Sequence, residues 1–268
     1  MKVNNLITTF VDYTSVSSSY NFARNTVGLE LYHQHFKDVN RILDSGCGTG
    51  MYIQKIAPYY KEIYGIDNSE KMLEILKEKN LNNVKVSLES CFDTKFEDNF
   101  FDGVMSNQVI QHLGGKININ KFIKESARVL RKNGKLIIST RNKLPNYTDL
   151  YWYTDFAPKA VEKMEEKVPD ETLVSELLKE NNFDIIDVVK PDDTFMNMGH
   201  YLNFEGVFDE SWRNGESFWS LVDEIELANI QLNIKNMIND GTLNDYINEK
   251  EKLRKLYGQS VFFIAQKR

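Results

Sequence analysis

The stretch Asp44-Ser45-Gly46-Cys47-Gly48-Thr49-Gly50 places glycines at three alternate positions, the first of them two residues after a carboxylate. Glycine has no Cβ, so such a turn lets a ligand come close to the backbone, and a helix that follows offers unpaired N–H groups in its first turn. Dinucleotides are common occupants of a glycine turn between a strand and a helix, but their fingerprint is spaced G-x-G-x-x-G. Here Met51 stands where the third glycine of that pattern would fall. The carboxylate argues the same way, because at a strand end it repels a pyrophosphate and attracts an ammonium group. The expected ligand carries positive charge and no phosphate. A second carboxylate, Asp67, follows about twenty residues later, the spacing from which an acidic side chain reaches ribose hydroxyls.

These residues need a scaffold, and the pattern around them supplies one. From Val39 to Gly134 short β-rich runs alternate with helix-period runs, as in a parallel sheet covered by helices. Strands are expected at 41–44, 62–67, 84–89, 101–107 and 135–140, with two more at 184–189 and 259–266. A helix capped by Asn68 or Ser69 places Met72, Leu73 and Leu76 on one face, and another carries Phe122, Ile123, Ala127 and Leu130, with Gly134 expected as its left-handed C-terminal cap. Between Pro191 and Gly258 the chain reads as mostly helical, with Phe218, Leu221, Val222, Ile225, Ile230, Ile234 and Met237 near a 3.6 period and Gly241 as the stop. The expected fold is α/β: a three-layer sandwich around a mostly parallel seven-stranded sheet, plus a helical insertion between the sixth and seventh strands. It is read as a single domain over 1–268, with an N-terminal helical cap (1–38), a core (39–190), the insertion or lid (191–257) and the final strand (258–268).

A net charge of −6 argues against a protein whose affinity comes from neutralising phosphates, so no nucleic-acid partner is expected. The two cysteines, Cys47 and Cys91, give neither a disulfide framework nor metal-ligand spacing, and no metal is expected. No apolar run is long enough to span a bilayer, so the expectation is a cytoplasmic protein with no membrane partner.

Asp44-x-Gly46-x-Gly48-x-Gly50, with Asp67 and this strand order, resembles the class I (Rossmann-like) S-adenosylmethionine-dependent methyltransferases of the small-molecule type. The resemblance implies S-adenosylmethionine as cofactor and S-adenosylhomocysteine as its product. The implied cofactor residues are Gly46, Cys47, Gly48 and Gly50 against the methionine half, Asp44 at its ammonium, Asp67 at the ribose and Asn68 against the adenine. Ser90 and Cys91 fall where the family often has Asp and a small or apolar residue, Ser90 being a departure from that pattern, and Asn107 stands at the tip of the fourth strand. Tyr20 and Arg24 match the N-terminal segment that lies over the cofactor, Arg24 being placed to hold the methionine carboxylate.

Methyl transfer needs an acceptor in line with the S–CH₃ bond, and a base only if the acceptor enters protonated. His112, after the fourth strand, and His200, from the insertion, are the candidate bases, although a histidine at the former place is more often a structural residue. Asn107 is followed by Gln108-Val109 and not by an N-P-P-aromatic run, which disfavours nucleic-acid amino groups, and two thiols are too few for arsenite chemistry. A small organic acceptor is expected, with Tyr151, Trp152, Tyr153 and Tyr201 as candidate pocket residues; helical core is their alternative. A protein or peptide acceptor, and a non-catalytic S-adenosylmethionine-binding protein, stand as alternatives. Acceptor atom and oligomeric state are left open.

Overall fold

The computed structural model describes residues 26–143, 150–191 and 201–268. Its seven strands are β1 (Arg41–Ser45), β2 (Glu62–Asp67), β3 (Val84–Leu88), β4 (Phe101–Asn107), β5 (Leu130–Arg141), β6 (Phe183–Val189) and β7 (Ser260–Lys267). They form one sheet in the order 3-2-1-4-5-7-6, parallel except that β7 runs antiparallel to β5 and β6. The chain direction of assembly reverses at β1, which has β2 on one side and β4 on the other. Crevices at such a switch point open beyond the carboxyl ends of the strands, where β1 delivers Asp44.

Successive residues of a strand point to opposite faces, and the two faces take different helices. Ile42, Met105, Ile137 and Phe262 pack with Tyr32 of α1 (Leu29–His35), Ile53 of α2 (Met51–Ile56) and Leu73 of α3 (Glu70–Glu78). Leu43, Val104, Ile138 and Phe263 pack with Phe122 and Ile123 of α4 (Lys116–Val129) and Leu177 of α6 (Glu171–Glu180). A third cluster lies outside these layers and joins α5 (Pro158–Glu165) to the insertion between β6 and β7, whose described helices are α7 (Glu210–Arg213), α8 (Glu224–Asp240) and α9 (Leu243–Tyr257). Its centre is aromatic: Tyr153 lies 5.0 Å from Phe218 and 4.9 Å from Trp219 between ring centroids. No described helix is long and apolar enough to cross a membrane.

Two local expectations are corrected. Gly134 does not cap a helix, since α4 ends at Val129 and Leu130 already pairs with Phe101 of β4. The pairing then skips from Leu130 to Lys135, and the left-handed residue of that excursion is Asn133, at φ 61°. Gly134 is required for space: a Cβ there would lie 2.8 Å from the carbonyl oxygen of Arg131 and 3.1 Å from that of Asp102. The helix expected from Phe218 starts later, because Ser217–Leu221 is a 3₁₀ turn and Asp223 caps α8 by accepting from the N–H of Glu226. The apolar run before it faces the aromatic cluster, so periodicity alone merged two elements. Ser69 is the cap of α3, and Gly241 ends α8 in the left-handed conformation, at φ 70°.

Candidate active site

The turn after β1 is held by the strand beside it. The N–H groups of Gly46 and Cys47 donate to the carbonyl of Ile66 at 2.8 and 2.9 Å, and that of Gly50 donates to the carbonyl of Cys47 at 2.9 Å. Gly50 enters α2 at φ 72°, and a Cβ on it would lie 2.2 Å from Leu76 Cδ1, so both conformation and packing require glycine there. Gly48 differs: it sits at φ 52°, and a Cβ would meet no described atom within 4 Å. Among the described residues, that side of the turn faces open space. The Gly48 N–H donates to Asp67 Oδ2 at 2.8 Å, while Asp67 Oδ1 accepts from the N–H of Ser69 at 2.9 Å. Asp67 therefore braces the turn with one lone pair of each oxygen and keeps others for a ligand. Burial raises its pKa, against the lowering effect of its bonds to Ser69, Gly48 and Asn68.

Asp44 is 2% exposed, and its Oδ1 has no hydrogen-bond partner among the described residues. Burial, followed by the charge of Asp67, pushes its pKa up to about 8. A buried carboxylate oxygen without a donor costs free energy that a ligand donor would recover. On the adjacent strand β4, the Asn107 side-chain oxygen accepts from the hydroxyls of Tyr32 and Ser139, and its Nδ2 has no partner among the described residues. An acidic oxygen and an amide NH₂ without partners among the described residues, beside a turn with room at Gly48, fit the amino-acid half of S-adenosylmethionine, whose ammonium and carboxylate supply the complementary groups.

Asn68 follows Asp67 and is exposed, and Ser90 follows β3, where its hydroxyl accepts from the N–H of Phe92 at 3.2 Å. Burial raises the thiols of both cysteines, Cys91 to about 12, so neither is a thiolate at neutral pH. His112 ends the 3₁₀ turn that follows β4 and is 8% exposed. Tyr151, Trp152, Tyr153 and Tyr201 are at most 4% exposed and pack in the aromatic cluster, where Trp152 Nε1 donates to the Tyr201 carbonyl at 2.8 Å. Tyr20, Arg24 and His200 lie outside the described residues. Among the described residues no group of His, Cys, Asp or Glu is arranged to hold a metal ion.

Three features of this edge are absent from the sequence reading. Arg141, at the tip of β5 and 3% exposed, reaches Glu216 and the Ser217 hydroxyl at 3.3 Å each and lies 5.5 Å over the Tyr151 ring. Gln111 accepts from Thr140 at 2.8 Å and donates to Gln108 at 3.0 Å, Gln108 being at φ 57°. Tyr32 reaches the crevice from α1. A charged residue ending an apolar strand was a usable signal for Arg141; nothing local signalled the other two.

A family profile described as a methyltransferase domain matches residues 43–138, from β1 through most of β5. The ubiquinone biosynthesis O-methyltransferase of Pelagibacter ubique is 28% identical over 176 residues, covering 65% of this chain and 68% of that one. The demethylmenaquinone methyltransferase of Staphylococcus haemolyticus is 26% identical over 204 residues, covering 70% and 83%. Among solved structures, a protein assigned as a methyltransferase of an antibiotic biosynthesis pathway in Anabaena variabilis superposes with a TM-score of 0.69 over 97% of this chain and 99% of that one, at 19% identity, a likeness of fold. The sheet order, the glycine turn with its two carboxylates and these relatives agree: the chain belongs to the class I S-adenosylmethionine-dependent methyltransferases.

Proposed function

We propose that the methyl acceptor is a small organic molecule, methylated at an O, N or C atom by direct in-line displacement. The observation that carries this reading is the attachment of the insertion to the carboxyl end of β5. Arg141 ties the tip of β5 to Glu216 and Ser217 of the insertion, and Asn142 donates to the carbonyls of Tyr257 and Gly258 at 2.7 and 3.1 Å. Gln259 holds the carbonyl of Leu150 at 3.1 Å. An insertion fixed beside the strand tips in this way favours a compact acceptor over a polypeptide, which needs an open groove. The quinone-pathway names of two relatives support a ring acceptor.

When bound, S-adenosylmethionine supplies a methyl group on a cationic sulfonium, a good leaving group. The work left to the chain is to position it and exclude water. In this reading Asp44 and the turn from Gly46 to Gly50 hold the methionine half, Asp67 the ribose, and Asn68, Ser90 and Cys91 border the adenine. His112 takes a proton from the acceptor where one must leave. The test is incubation with methyl-labelled S-adenosylmethionine and either phenols, catechols, quinols and amines or a cell-free protein fraction. Label in solvent-extractable products supports the reading; label confined to acid-precipitable protein overturns it.

A further inference from the structure

The chain between β3 and β4 forms no helix, and side chains take up backbone N–H groups of the turn it makes. Ser90 accepts from the N–H of Phe92 at 3.2 Å and Glu89 from that of Lys95 at 2.9 Å, around an isolated bridge between Ser90 and Asp93. These bonds close the turn on itself. A further acceptor comes from α4: Glu125, thirty-one residues on, takes both the N–H and the hydroxyl of Thr94 on Oε1, at 2.8 and 2.6 Å. Arg128 completes the clamp. Its Nε donates to Glu125 Oε2 at 2.9 Å and its Nη2 to Oε1 at 2.7 Å, while the carbonyls of Thr94 and Phe96 accept from it at 3.2 and 2.8 Å. Arginine has only donors and a carboxylate only acceptors, so the sense of these bonds is fixed. Burial raises the Glu125 pKa, but the bonds from Arg128 and Thr94 outweigh it and hold the carboxyl below its ordinary value, ionised at neutral pH.

The turn clamped in this way carries Ser90 and Cys91. At its entry the N–H of Glu89 donates to the carbonyl of Asp67 at 3.1 Å. Cys91 lies close enough to Asp67 and Glu125 for each charge to help raise its thiol pKa, behind the larger effect of burial, and it packs with Phe92 against the cluster that contains Phe122 and Ile123 of α4. The turn thus spans the distance from the tip of β2 to α4. We infer that Glu125 and Arg128 are positioning residues for the adenine end of the cofactor crevice, holding the turn from Glu89 to Lys95 in the shape that presents Ser90 and Cys91 to the base. The inference rests on the cofactor reading given above, which puts Ser90 and Cys91 beside the adenine, and adds to it a control point on α4. Glu125, Arg128 and Thr94 act through the turn and do not touch the ligand. A wall ordered before the ligand arrives spares binding the entropy of ordering it, so loosening the clamp costs affinity at the base and not at the methionine half.

The test is calorimetric titration of the full chain with three probes. S-adenosylhomocysteine has base, ribose and amino-acid head, 5′-methylthioadenosine lacks the head, and S-ribosylhomocysteine, read by its competition with S-adenosylhomocysteine, lacks the base. Glu125→Ala is expected to weaken both adenine-bearing probes by about tenfold and S-ribosylhomocysteine by less than about twofold. Glu125→Gln keeps an oxygen for the Thr94 N–H and is expected to stay within about threefold of the wild-type protein on all three. Thr94→Val leaves the pair of Glu125 and Arg128 intact and removes only the hydroxyl; it is expected to cost about threefold on the adenine-bearing probes alone, and it decides the matter if Glu125→Ala does not fold. Equal losses on all three probes would mean that the clamp serves only the fold and would overturn the inference, as would unchanged affinity for the adenine-bearing probes in both Glu125→Ala and Thr94→Val. Absence of S-adenosylhomocysteine binding in the wild-type protein would overturn the cofactor reading itself and the inference with it.

Discussion

At the scale of single residues, the informative group is Asp44. Its carboxyl is buried with one oxygen unpaired, and its pKa stands at about 8 against an ordinary 3.8. A ligand ammonium requires the ionised form, so below that pH binding must first remove a proton. Affinity for S-adenosylhomocysteine is accordingly expected to rise by up to about tenfold per pH unit between pH 6 and 8 and then level off. Asp44→Asn should bind weakly with no such slope, and a flat profile in the wild-type protein would contradict the assignment. Stability runs the other way. Because the folded-state pKa is raised, the protonated group favours the folded ligand-free protein at low pH, and that contribution is lost as pH rises from about 4 to about 8. This residue was legible in the sequence because a carboxylate next to a bare turn has a chemical meaning at short range. The partners of Asn107 were not, because they are Tyr32, seventy-five residues earlier, and Ser139, thirty-two residues later.

At the scale of elements, the strands were easy to read and the junctions were not. EIYGID and FDGVMSN coincide with β2 and β4, since apolar runs bounded by turn residues allow little else. Gly134 was read as a cap because a glycine after a helix-period run usually is one, yet the pairing of Leu130 with Phe101 ended α4 early. The apolar residues before Asp223 belong to a 3₁₀ turn packed in the aromatic cluster, which a single period cannot separate from α8. The junction between sheet and insertion contains a buried ion pair, Arg141 with Glu216, whose side chains are 3% and 12% exposed; Glu216 also accepts from the Tyr153 hydroxyl at 2.6 Å. Glu216→Ala leaves the guanidinium without its carboxylate and is expected to lower unfolding free energy by roughly 3 kcal/mol in urea titration, with much of that recovered in the double variant Arg141→Leu, Glu216→Leu. A loss below about 0.5 kcal/mol would show that the attachment of the insertion does not depend on this pair.

At the scale of the whole molecule, the sheet order places the turn of β1, the tip of β2 and the tip of β4 around one crevice and hangs the insertion beside β5 and β7. The order of strands and helices was readable because each βα unit buries its own apolar stripe, whereas the attachment of the insertion depends on contacts such as Asn142 with Tyr257, 115 residues apart, that leave no local trace. The central claim is that this crevice binds S-adenosylmethionine through Asp67 and the turn it braces. The most direct measurement is calorimetric titration of S-adenosylhomocysteine into the wild-type protein and into Asp67→Ala. The account predicts binding in the micromolar range, weakened by about tenfold or more in the variant, because one substitution removes the brace at Gly48 as well as the ribose acceptor. Equal affinity in both proteins would place the cofactor elsewhere and contradict the account.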